Sequence, residues 1–129
     1  YVLVDAEGGA PDVILVGTGS EVQHAVAART ALAAEGIRAR VVSMPCREWF
    51  DAQDSGYRDS VIPPSVKARV SVEAGVAQGW REVVGDAGRI VSVDRFGASA
   101  DAETMFREYG ITPEAVASAA RESLAAVAG

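Results

Sequence analysis

The spacing between successive apolar runs most limits the folds open to this chain. The β-prone runs Tyr1–Val4 and Asp12–Val16 are separated by only about seven residues, through the turn-rich Glu7-Gly8-Gly9-Ala10-Pro11. A parallel crossover needs a dozen or more residues, so this first pair is expected to be antiparallel. Each later candidate strand, Arg40–Ser43, Arg69–Val72 and Arg89–Val93, follows a stretch of helical length and is expected to be parallel, with right-handed crossovers. Val13-Ile14-Leu15-Val16 is continuously apolar, as in a strand covered on both faces. The expected fold is α/β, a Rossmann-like five-stranded mixed, mostly parallel sheet with helices on both faces.

Between the strands the pattern is helical. From Glu21 to Glu35, residues Val22, Ala25, Val26, Leu32 and Ala33 fall on one broad face, and Gly36 supplies a stop. A short amphipathic helix is expected over Arg47–Gln53 with Trp49 and Phe50 inward, then a loop from Asp54 to Pro64. Gly75–Gly85 reads as a short helix carrying Trp80. Two helices close the chain, over Asp101–Tyr109 and Pro113–Val127. Thr112-Pro113-Glu114 reads as an N-cap, a proline at the first helical position and an acid in the first turn.

With 129 residues, 49% apolar and 23% charged, the chain is expected to be one domain with one core. The net charge of −6, with Lys67 the only lysine, argues against nucleic-acid or anionic-membrane partners. Apolar runs are too short to span a bilayer. One cysteine, Cys46, precludes an internal disulfide and suits a cytoplasmic location. The chain opens without Met inside the apolar run Tyr1-Val2-Leu3-Val4, which reads as a fragment of a longer polypeptide, with N-terminal processing the alternative.

Ligands of open α/β sheets gather outside the carboxyl ends of the strands. Gly17-Thr18-Gly19-Ser20 there is a strand–turn–helix junction able to cradle a small anion on backbone N–H groups. Val22 replaces the third glycine of a dinucleotide fingerprint, and Ser20 with Gln23 forms a capping box that uses the same donors. Structural capping is the preferred reading and anion binding the alternative. Cys46 lacks a base within reach by spacing. The only histidine, His24, is on another helix and is expected at the surface. Glu73 and Arg95 are read as a structural ion pair across strand ends, against an acid–base role for Glu73. Trp49, Phe50 and Trp80 are read as core anchors, and Trp80 and Phe96 alternatively as contacts to a partner domain. No catalytic residue and no metal ligand is assigned.

The blocks Gly17-Thr18-Gly19-Ser20-Glu21-Val22, Val41-Val42-Ser43-Met44-Pro45 and Trp49-Phe50-Asp51-Ala52-Gln53 resemble the C-terminal domain of the transketolases. The similarity continues through Tyr57-Arg58, Ile62-Pro63, Val72-Glu73-Ala74-Gly75, Gly79-Trp80, Asp94-Arg95-Phe96-Gly97-Ala98-Ser99-Ala100 and Gly110-Ile111-Thr112, in order over nearly the whole chain. The resemblance implies that residues 1–129 are the third domain of a homodimeric enzyme of the pentose phosphate pathway. That enzyme moves a two-carbon ketol unit between sugar phosphates with thiamine diphosphate and a divalent cation, Mg2+ or Ca2+. It places both cofactors between the first two domains, none on this one. The domain's partners are then those two domains and a second subunit, and its role architectural. A regulatory anion- or nucleotide-binding role is the alternative, as is the equivalent domain of 1-deoxyxylulose-5-phosphate synthase or a 2-oxoacid dehydrogenase component. Cys46 and Asp101 depart from the family's pattern, which more often has a small hydroxyl residue and a proline there.

Overall fold

A computed structural model describes residues 1–6, 10–18, 22–44, 50–73, 81–92 and 112–128. Along the chain these form β1 (Val2–Val4), β2 (Val13–Gly17), α1 (Val22–Ala33), β3 (Ala39–Ser43), α2 (Ser55–Val61), β4 (Arg69–Glu73), α3 (Arg81–Val84), β5 (Arg89–Ser92) and α4 (Pro113–Ala128). The five described strands make one sheet in the order β1-β3-β2-β4-β5. β2, β3, β4 and β5 are mutually parallel, and β1 alone runs against them.

The alternation of side chains along β2 organises the core. Val13 and Leu15 enter one apolar layer with Ala25, Ala28 and Leu32 of α1 and Val116, Ala117 and Ala120 of α4. Ile14 and Val16 enter the other, with Val61 of α2, Ile62 and Val83 of α3. All four β2 side chains are fully buried, which is why the run carries no polar residue. Each face of the sheet has its own helical cover, so the mixed sheet with helices on both faces is as the sequence predicts.

The helix ends follow local chemistry. α1 closes in a Schellman arrangement: Ile37 N donates to Leu32 O at 3.0 Å and Gly36 N to Ala33 O at 3.0 Å. Gly36 takes φ +80°, which a side chain would strain. Ile37 then packs against the same apolar layer as Leu32. α4 begins as its sequence predicts, with Ala115 N donating to Thr112 Oγ1 at 3.1 Å.

The structure corrects the expectations at four points. β1 pairs not with β2, its neighbour in sequence, but with β3, where Tyr1 and Ser43 exchange both backbone hydrogen bonds at 2.7 and 2.8 Å. β2 has no free edge, because β3 and β4 occupy both sides. The Asp54–Pro64 segment, read as a loop, contains α2, whose first turn is capped by Asp54 Oδ1 accepting from Tyr57 N at 2.8 Å. Ala33, assigned to the inward face of α1, is exposed, and Ala28 takes that place. His24 is partly buried instead of lying on the surface. Residues 47–49 of the Arg47–Gln53 helix, the Gly75–Gly85 helix before Arg81, and the Asp101–Tyr109 helix lie outside the described residues.

Candidate functional site

The chain leaves β2 for β3 on one side and returns to place β4 on the other, so the topological switch lies at the carboxyl ends of β2 and β4. Crevices at such switch points are where open α/β sheets bind ligands. Gly17 ends β2 there, in register with Ser43 of β3 and Val72 of β4. Met44 N donates to Gly17 O at 2.9 Å and carries the pairing one residue further. Glu73 ends β4 opposite Ser92 of β5. The backbone therefore brings Gly17-Thr18, Met44 and Glu73 to one edge, as the strand spacing implies.

Gly17 has a steric reason to be glycine. A Cβ there would stand 2.9 Å from the Cα of Val22, the first residue of α1. The strand end and the helix start approach too closely for any side chain at position 17. Thr18 is partly buried. Of the other residues singled out in the sequence, Gly19, Ser20, Cys46, Trp49, Trp80, Arg95 and Phe96 lie outside the described residues, as does the side chain of Glu73. No three His, Cys, Asp or Glu side chains converge as a metal would require, among the described residues.

The opposite edge of the sheet is laced with charge. Arg40, at the start of β3, donates from Nε to Asp5 Oδ1 at 2.8 Å and from Nη1 to the carbonyls of Ser60 and Val61 at 2.9 and 3.0 Å. Arg29 of α1 donates to Asp5 O at 2.6 and 3.1 Å. These contacts fasten the end of the edge strand β1 to both helical layers. Asp12 accepts from Arg38 N at 2.9 Å and from Arg38 Nη2 at 3.2 Å. Glu35 and Arg121 form a two-pronged pair between the end of α1 and α4. Hydrogen bonds from these arginines hold the Asp5, Asp12 and Glu35 carboxyls below their ordinary pKa; for Asp12 the backbone N–H of Arg38 is the leading cause. Arg69, at the start of β4, donates to the carbonyls of Val66, Val83 and Pro63 at 2.8–3.1 Å, and burial lowers its pKa. These shifted groups make structural ties at the amino edge, away from the switch point.

Sequence reasoning missed one cluster. A cleft of about 350 Å3 opens beside α2, lined by Phe50, Asp51, Arg58, Asp59, Ile62, Arg69 and Val83. Its key residues lie in the segment read as a loop. The available signal was Asp54 as an N-cap three residues ahead of Tyr57, weakened by Gly56 and by a helix of only seven residues.

A central parallel strand flanked on both sides, a switch point at its carboxyl end and an antiparallel edge strand define a doubly wound α/β domain. Residues 1–112 match the family model described as the Transketolase-like TK C-terminal domain. The chain belongs to this family. It is 63% identical over 128 residues to the transketolase of Mycobacterium tuberculosis strain H37Rv, covering 96% of this chain and 18% of that protein. It is 52% identical over 124 residues to transketolase 1 of Escherichia coli K12, covering 96% of this chain and 19% of that protein. The solved transketolase of Leishmania mexicana superposes with a TM-score of 0.86 at 43% identity, over 97% of this chain and 18% of that one. The chain thus spans about a fifth of the length of the relatives it matches.

Proposed function

We propose that residues 1–129 are the C-terminal domain of a longer enzyme that transfers a two-carbon ketol unit between sugar phosphates. Its role there is architectural. The observation that carries this reading is the family match over residues 1–112, combined with a chain that accounts for only 18% of the mycobacterial relative. Thiamine diphosphate and a divalent cation, Mg2+ or Ca2+, would supply the carbanion chemistry in the remainder of such a protein. The described residues of this chain do not fit the cation, since no ligand cluster exists among them. No step of the reaction is therefore assigned to them.

What this chain contributes is a rigid body. Two apolar layers back one sheet, and the charged ties at Asp5, Asp12, Glu35 and Arg69 fix its edge strand, its turns and its two helical covers to one another. Such a body can hold catalytic domains in register and support a homodimer. Glu73, Trp80, Arg95 and Phe96 are proposed contacts of that kind. A cytoplasmic location fits the lone cysteine. No described helix is long and apolar enough to cross a membrane.

The position of Gly17-Thr18 at the switch point favours a second reading, with Gly17, Thr18, Gly19 and Ser20 holding a small anion. Thermal melts of this chain against phosphate, sugar phosphates, nucleotides and thiamine diphosphate separate the two. A ligand at a hundred times its dissociation constant adds roughly 2.7 kcal/mol. The architectural reading expects no saturable shift with any of them. A shift abolished by Ser20→Ala would assign the regulatory site instead.

A further inference from the structure

The cleft beside α2 contains a guanidinium that forms no ion pair with a carboxylate among the described residues. Arg58 lines it and is partly buried. Its Nε is sealed from solvent without a hydrogen-bond partner, and no ion pair among the described residues includes it. Arg69, the other guanidinium lining the cleft, is spent on three backbone carbonyls. A guanidinium drawn partly out of water without an anion is costly, and an acceptor meeting it recovers that cost. Tyr57, the residue before Arg58 in the chain, is 40% exposed and packs at a tilt on Phe50, which lines the cleft, with ring centroids 6.4 Å apart. An arginine next to an exposed tyrosine is the composition of an interface centre.

We infer that the α2 cleft is a docking point, in which Arg58 receives a carboxylate side chain from the part of the longer protein outside residues 1–129. This rests on the reading that the chain is one part of a longer enzyme, as its 18% share of the mycobacterial relative suggests. Two features favour a protein carboxylate over a free phosphate. Asp51 and Asp59 also line the cleft and repel a multiply charged anion more than a single carboxylate. The exposed ring of Tyr57 gives apolar area that a protein surface covers and a small ion does not.

The test is hydrogen–deuterium exchange of the peptide covering α2, measured in the longer protein and in the 129-residue chain, each as wild type, Arg58→Gln and Arg58→Lys. In the longer protein, Arg58→Gln should speed exchange of this peptide by about tenfold or more, since a docked charge pair is lost. Arg58→Lys should fall between the two, because it keeps the charge without the planar fork. In the 129-residue chain neither substitution should change the rate. Equal changes in both contexts would place the role of Arg58 inside the domain and overturn the inference, as would no change in either. Acetate or phosphate that slows exchange in the wild-type 129-residue chain, but not in Arg58→Gln, would assign a free anion and also overturn it. Ketol transfer by the wild-type longer protein, assayed on the same sample, separates failure of this contact from failure of the parent reading.

Discussion

Ser123 is a small residue on which two strands depend. It lies on α4, fully buried, and its hydroxyl accepts from Arg69 N at 3.0 Å and donates to Ala87 O at 2.6 Å. Arg69 opens β4, and Ala87 stands just before β5. One hydroxyl therefore joins the entries of two neighbouring strands to the helix that covers them. Ser123→Ala removes the acceptor of a buried N–H, which costs about 1–3 kcal/mol. Ala87 O keeps a second donor, Arg89 Nη1 at 3.1 Å, so the loss falls mainly on Arg69 N. Helix propensity acts the other way, since alanine is better than serine in a helix interior by up to about 0.7 kcal/mol. The net expectation is a loss of about 1–2 kcal/mol, or a melting point lower by roughly 3–10 °C in a domain of this size. Urea denaturation reads it directly, with a lower midpoint and an unchanged m-value. Ser118→Ala, at an exposed position of the same helix, is the control and should be neutral or slightly stabilising. A Ser123→Ala protein as stable as wild type would refute the claim that this hydroxyl holds the strand entries.

Three further outcomes follow from the local geometry. Gly36→Ala should lower stability by about 1 kcal/mol, although a Cβ there meets open space, because φ +80° is what alanine resists; an unchanged urea midpoint would contradict this. Asp54→Ala should cost about 0.5–2 kcal/mol and loosen α2 selectively, visible as faster amide exchange at Tyr57, whose N–H loses its acceptor. Asp5, Asp12 and Glu35 have folded pKa values below their unfolded ones. Their stabilisation is therefore complete above the usual carboxylate range of about 4 and is lost as the pH falls through the lower folded values. Arg121→Gln should flatten that acid-side slope through Glu35, and an identical pH profile in wild type and variant would count against it.

The parts of the fold written into local pattern were legible, and those decided by competition between elements were not. The unbroken Val13–Val16 run could only be a strand covered on both faces, and Gly36 and Thr112-Pro113 mark helix ends through backbone preferences that act locally. The direction of β1 also followed from its short connection. Its partner did not, because connection length excludes a parallel neighbour without saying which strand has an edge to offer. Both edges of β2 are taken by β3 and β4. β1, with exposed Leu3 and with Asp5 just beyond its end, suits an outer position. α2 escaped notice because seven residues with an internal Gly56 show too little period, and its stability comes from the Asp54 cap, from Val61 in the apolar layer and from Arg40 on its last carbonyls. The carboxyl edge was legible as a place, since strand ends follow from strands. The Arg58 cleft was not, because it forms only when α2, β4 and α3 pack together.

Deleting residues 1–129 from the longer protein, and measuring thiamine diphosphate binding, subunit association and ketol transfer on the remainder, tests the architectural role most directly. The account predicts that the remainder still binds thiamine diphosphate but is less stable and associates more weakly as a dimer. It also predicts that the 129-residue chain alone transfers no ketol unit. Loss of cofactor binding from an otherwise folded, dimeric remainder, or ketol transfer by the 129-residue chain itself, would contradict it.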